Sequence, residues 1–170
     1  MITLRPATPA DARAIARIHV ETWRTTYAGM LPDKTLISMN VDAKASAWRR
    51  ALSAPEAIAG GVLLAEAEGT GPIGFASSGR NRMPALPFAG EVQTLYVQPD
   101  WQNQGVGRRL LQGCFAALRQ RGFGSAIVWV LADNPARFFY ERMGGKRAGE
   151  RDEPLWGIVV HELAYGWNEI

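Results

Sequence analysis

The run Leu95-Tyr96-Val97-Gln98-Pro99-Asp100-Trp101-Gln102-Asn103-Gln104-Gly105-Val106-Gly107-Arg108-Arg109-Leu110-Leu111 passes from a strand through a polar, glycine-bearing turn into a helix. The strand begins at Glu91 and is closed by Pro99; the helix carries Val106, Leu110, Leu111, Cys114, Phe115 and Leu118 on one face until Gly122 ends it. A helix that starts on small residues presents free N–H groups and the positive end of its dipole to an anion, which is the physics of a pyrophosphate site. Gly105 and Gly107 allow close backbone approach or unusual φ values, Gln102 can fix the loop, and Arg108 and Arg109 bring positive charge. On spacing alone, a plain strand-to-helix connection explains the same turn equally well. Two other nucleotide signatures fail. There is no G-x-x-x-x-G-K-[ST], and Arg108-Arg109-Leu110 after Gly107 breaks the dinucleotide fingerprint, so ATP and NAD are disfavoured.

Outward from this stretch the hydrophobic period changes. Ile2 to Pro6 reads as a strand, and Thr8-Pro9-Ala10-Asp11 as a helix start, with Ala12, Ile15, Ile18 and Thr22 at helical spacing to about Thr25. Short helical pieces follow Tyr27-Ala28-Gly29-Met30-Leu31-Pro32 as far as Leu52. Val62 to Ala67 and Ile73 to Ser78 read as two antiparallel strands joined at Gly69-Thr70-Gly71-Pro72; Asn81 to Gly90 is a loop, and Glu91 to Val97 completes a meander. Ser125 to Leu131 is a near-continuous apolar run, as a centre strand reached by a crossover requires. Asn134 caps the next helix, Pro135 opens it and Gly144-Gly145 stop it; Lys146 to Gly149 and Trp156 to Tyr165 form a final hairpin with Arg151-Asp152-Glu153-Pro154 at its tip. The expectation is a mixed α/β chain, β-α-α-β-β-β-α-β-α-β-β, with a twisted mixed sheet of six to seven strands flanked by helices.

A chain of 170 residues with 47 % apolar composition can bury a sizeable core, and we expect one compact domain over residues 1–170. No run of about 18 apolar residues is present, so a cytoplasmic protein away from membranes is expected. The single cysteine, Cys114, has no His or Cys at metal-ligand spacing and falls on an apolar helix face; it reads as a core residue, and no metal is expected. A net charge of +3 is modest, and the arginines cluster locally at Arg108-Arg109, Arg119/Arg121 and Arg137/Arg142, which suits a phosphorylated small molecule rather than nucleic acid.

The stretch Leu95 to Leu111 resembles the signature of the GCN5-related N-acetyltransferase (GNAT) family, [Q/R]-x-x-G-x-[G/A] between a strand and a helix. A second family element, an Asn, an Ala, an aromatic-Tyr pair and a Gly, is similar to Asn134, Ala136, Phe139-Tyr140 and Gly144. The element order matches that family's sheet over essentially the whole chain, and Thr22 to Pro32 resembles a subgroup of bacterial members without a single defined substrate.

The resemblance implies an acyl-CoA-dependent enzyme. Its acetyl-CoA would lay the pantetheine arm along the main chain of Leu95, Tyr96 and Val97 and seat the pyrophosphate on Gln102, Asn103, Gln104, Gly105, Val106, Gly107 and Arg108, with Arg109 nearby and Asn134 and Tyr140 touching the cofactor. The implied reaction is direct: a neutral primary amine attacks the thioester within a ternary complex, an oxyanion forms, and the thiolate leaves. Tyr140 matches the family's acid, and Glu91 stands where histone-acetylating relatives carry the general base. The alternatives are that Tyr140 packs with Phe139 and Met143, and that Glu91 is an ordinary exposed edge charge. Strand alternation would put Gln93 and Leu95 on the face of Glu91. His19 and His161 lack a visible partner and are assigned no role.

The acceptor pocket implied by the family would draw on Trp23 and Tyr27, with Met30, Met83 to Phe88 and Asp152 to Trp156, and would take a small amine or a peptide. Six tryptophans and an apolar last hairpin leave homodimerisation open. Two other classes remain: a non-catalytic acyl-CoA sensor, against which Tyr140 and Glu91 argue, and a nucleic-acid binder, which rests on the pI of 9.3 alone.

Overall fold

The computed structural model describes residues 1–55 and 61–170. Thr8 and Asp11 close a capping box ahead of a 3-10 turn at Pro9–Asp11, and the chain runs straight into α1, Ala12–Thr26. The helical pieces expected up to Leu52 are α2, Asp33–Ser38, and α3, Val41–Leu52, the latter capped by Asn40 Oδ1, which accepts from the N–H groups of Asp42 and Ala43. Among the described residues the remaining α-helices are α4, Val106–Gln120, and α5, Ala136–Arg142.

The strands are β1 Ile2–Pro6, β2 Val62–Ala67, β3 Gly71–Arg80, β4 Gly90–Val97, β5 Ala126–Leu131, β6 Lys146–Leu155 and β7 Ile158–Trp167. They form one seven-stranded sheet in the order β1-β2-β3-β4-β5-β7-β6. Every pairing is antiparallel except β4 with β5, the pair joined by the crossover through α4. One face of the sheet packs Leu110, Leu111 and Cys114 of α4 against Ala76, Val92 and Val128. The other packs Ile15 and Ile18 of α1 against Leu64 and Phe75. Burial pushes the Cys114 thiol up to about 12, so it sits in the core as an inert apolar residue.

Two details differ from the sequence reading. The final hairpin turns at Trp156-Gly157, not at Arg151 to Pro154: both turn residues have positive φ, 52° and 80°, as a two-residue turn of this hand requires. The charges and the proline at 151–154 lie in β6, a sheet-edge strand, where a missing N–H and outward charges are tolerated. The second difference is in β4. Thr94 pairs with Ser77 and Val92 with Ser78, so Gln93 is an extra residue in the ladder. The bulge resets the alternation. Val92 joins the α4-side core with Leu95 packed against it, while Tyr96 packs against the α1-side cluster. Glu91, next to Val92, therefore shares its face with Thr94 and Tyr96 and not with Leu95.

Candidate active site

β4 and β5 are hydrogen-bonded only from Gly90/Ala126 to Val92/Val128, although β4 continues to Val97 and β5 to Leu131. Beyond the bulge the two strands part, and the β4 edge from Gln93 to Val97 faces β5 without a strand between them. The gap opens a cleft of about 990 Å³ that runs from the Gln102 loop, past Tyr140, to the wall made by α1 and the β6–β7 hairpin.

At one end of this cleft stands the start of α4. Asn103 and Gly105 both take left-handed conformations, φ 59° and 82°, and Gly105 is the residue from which the helix departs. Gln102 Nε2 donates to the carbonyl of Val97 at 3.0 Å, tying the loop to the end of β4, and Gln104 Nε2 donates to that of Asp100 at 2.8 Å, bracing it against the 3-10 turn at Pro99–Trp101. Gln102, Asn103, Gly105, Gly107 and Arg108 line the cleft, whereas Val106 is a buried core residue. Arg109 turns the other way: its Nη1 donates to the carbonyl of Ile2 at 2.8 Å, on β1. A Cβ built on Gly107 would meet the Phe139 ring at 3.5 Å and Leu95 Cδ2 at 3.8 Å, both ordinary contacts.

Midway, α5 brings Tyr140 to the cleft, the residue 6 % exposed and its ring packed edge-on against Phe139 and Trp167. Burial raises the phenol above its ordinary pKa, which keeps the hydroxyl protonated through the neutral range. Asn134 Oδ1 accepts from the N–H of Ala136 at 2.9 Å, so this buried residue serves as a cap while also lining the cleft.

The far wall is aromatic. Trp23 meets Tyr27 at 5.0 Å and Trp156 at 5.3 Å, both edge-on, so the hairpin turn closes back onto the end of α1. Leu95, Tyr96 and Val97 reach the cleft from β4. Glu91 is not an exposed edge charge: it is 2 % exposed, with Oε1 accepting from Arg82 Nη2 at 2.6 Å and Oε2 from Arg82 Nε and the Arg82 backbone N–H. A second pair lies opposite, Arg151 Nε donating to Glu162 Oε2 at 2.6 Å, with the guanidinium 4.2 Å from the ring centre of Trp129. Arg82, Trp129, Arg151 and Glu162 were not among the residues singled out from the sequence. Only the placement of β7 beside β5 brings three of them together, and a charge alternating along a strand carries no mark of that. His19 stands outside this lining, behind Tyr96, and His161 lies on the exposed hairpin, where its Nδ1 is 2.7 Å from Asp152.

Residues 17–145 match the model of the acetyltransferase (GNAT) family. Over 171 residues the chain is 34 % identical to the uncharacterised N-acetyltransferase YuaI of Bacillus subtilis, covering all of this chain and 95 % of that one. Among solved structures, yncA of Salmonella typhimurium with its cofactor acetyl-CoA superimposes with a TM-score of 0.70 at 23 % identity, covering 98 % of this chain and 92 % of that one. The paia N-acetyltransferase of Thermoplasma acidophilum in complex with coenzyme A gives 0.69 at 20 % identity, covering 98 % and 99 %; at these identities the likeness is one of fold. Together with the match to YuaI over the whole of this chain, the family model settles the assignment: the chain belongs to the GNAT family of acetyl-CoA-dependent N-acetyltransferases.

Proposed function

We propose that the protein moves the acetyl group of acetyl-CoA onto a primary amine by direct attack in a ternary complex, across the opening between β4 and β5. The observation that carries this reading is the parting of the two strands after Val92/Val128, flanked by the N-terminus of α4 on one side and Tyr140 on the other. An open strand edge takes an extended chain by adding its N–H and C=O groups to the ladder, and the pantetheine arm carries two amides that can do so along Leu95 to Val97. The N–H groups of Gln102 to Arg108 would hold the pyrophosphate, with Arg108 as the cation facing the cleft; Arg109 would instead brace α4 against β1.

The acetyl carbonyl would then lie between the Tyr140 hydroxyl and the Glu91 side of β4, and the amine would approach from the Trp23–Tyr27 wall. Attack makes the C–N bond, the C–S bond breaks, and the thiolate takes the proton that Tyr140 has kept. Main-chain N–H groups of β4 stabilise the oxyanion. Because Arg82 occupies both oxygens of Glu91, the proton of the amine would leave through a water that Glu91 orients rather than by direct contact. The test is calorimetric titration with acetyl-CoA and, separately, ATP at two salt concentrations, followed by an amine screen with thiol detection. Micromolar acetyl-CoA binding with no ATP binding is expected; no acetyl-CoA binding refutes the proposal.

A further inference from the structure

We infer that the amine acceptor carries a carboxylate beside an apolar body, and that Arg151 holds that carboxylate. The inference rests on the transferase reading above and concerns which amine enters the same cleft.

Arg151, Glu162 and Leu131 are lateral neighbours across β6, β7 and β5, and Trp129 lies two residues before Leu131 on the same face. The Arg151 guanidinium is thus held from two directions, by the Trp129 ring at 4.2 Å and by Glu162 at 2.6 Å. Among the described residues its only hydrogen bond is made by Nε; Glu153, at 3.8 Å from the same atom, is beyond hydrogen-bond reach. Both terminal nitrogens, which carry four N–H donors, are therefore unspent on a residue that lines the cleft. A planar guanidinium fixed by stacking and one ion pair, with its fork free, is organised in advance for a carboxylate.

The charges around it exclude the opposite kind of acceptor. The acceptor half of the cleft is lined by Arg82, Glu91, Arg151 and Glu162, two cations and two anions, and each carboxylate is already paired with an arginine at 2.6 Å. A polycationic amine would find no carboxylate there whose charge is not already balanced by an arginine. Beside Thr22 and Thr26, the wall made by Trp23, Tyr27, Met30, Leu31, Leu155 and Trp156 is mostly apolar and suits an aliphatic or aromatic body. Three further polar atoms of cleft-lining residues are buried without a hydrogen bond among the described residues: Thr22 Oγ1, Trp23 Nε1 and Trp129 Nε1.

The test compares amines that differ only in the carboxylate. Thiol release from acetyl-CoA would be measured with L-phenylalanine against 2-phenylethylamine, L-leucine against 3-methylbutylamine, and spermidine and kanamycin as polycations. A preference for the carboxylated partner of roughly 10- to 100-fold in kcat/KM is expected, the range of a charge-assisted hydrogen bond. Arg151→Gln should raise KM for the carboxylated amine and erase the preference while kcat stays within a few-fold. Arg151→Lys keeps the pair with Glu162 but loses the fork, and should lose most of the preference with the melting temperature retained. Faster turnover of the decarboxylated amines or of a polycation overturns this inference alone, as does a preference that survives both variants. Acetyl-CoA binding without thiol release by any amine overturns the transferase reading and this one with it.

Discussion

Lowering the pH from 7.5 to 5 is expected to cost the fold about 2 kcal/mol through His19 alone. His19 lies on α1 inside a cage of Trp23, Trp48, Phe75 and Tyr96, with the Tyr96 ring stacked on it at 5.2 Å. Its Nδ1 accepts from Trp48 Nε1 at 3.1 Å, which puts the proton of the neutral ring on Nε2, a buried atom with no partner among the described residues. Burial, aided by the nearby Lys44 charge, lowers its pKa from 6.5 to about 4. The unfolded chain therefore binds more protons between these two values, and stability rises with pH across that window: it is complete above 6.5 and lost as pH falls toward 4. The 2.5-unit difference, 6.5 less 4, sets a ceiling of about 3 kcal/mol, of which about 2 has gone by pH 5. Asp11, held by Arg5 well below the usual carboxylate range, contributes a loss of its own only below its ordinary value of 3.8, so the two windows separate. The assay is urea unfolding at pH 7.5, 6 and 5 for the wild type and His19→Asn, which cannot titrate there. The wild-type midpoint should fall with pH while that of the variant stays flat across this range, whatever its starting stability. Parallel curves for the two proteins would refute the reasoning.

Three further outcomes follow from the site. Gly105→Ala places a Cβ at φ 82° with nothing within 4 Å to clash, so conformational strain alone should cost about 1–2 kcal/mol in urea unfolding, and Gly105→Asn clearly less; equal costs would remove the left-handed conformation from the account. Arg82→Ala should destabilise by about 3 kcal/mol and by more than Glu91→Gln, because the first strands a buried carboxylate (side chain 3 % exposed) and the second frees a guanidinium that is 64 % exposed; the reverse order would show that the stranded carboxylate does not set the cost. Tyr140→Phe should leave acetyl-CoA affinity intact and lower turnover by about 10²-fold or more, the usual scale for an acid–base group; wild-type rates would reduce Tyr140 to a packing residue.

The parts of this protein legible without coordinates are those governed by neighbours in the chain. Thr8 and Asp11 cap a helix start, Asn134 and Pro135 open α5, and Gln102 to Gly107 turn a strand into a helix, because caps, turns and amphipathic periods act over a few residues. The same short-range reading misplaced the hairpin turn. Arg151 to Pro154 look like a turn by composition, but a strand at the sheet edge accepts such residues, and the turn fell to Trp156-Gly157. It also set Glu91 on the face of Leu95, since strict alternation holds only until a bulge, and the bulge at Gln93 is visible only once β3 is laid beside β4. The cleft wall far from the start of α4 was the least legible part. Arg82 reaches Glu91 across a loop, and Arg151 meets Trp129 only because β7 inserts between β5 and β6. Sequence periodicity determined which segments became strands and helices, and the glycine turn where one gives way to the other. The order and register of those strands, set by packing between residues far apart in the chain, decided where the cleft opens and which charges face each other across it.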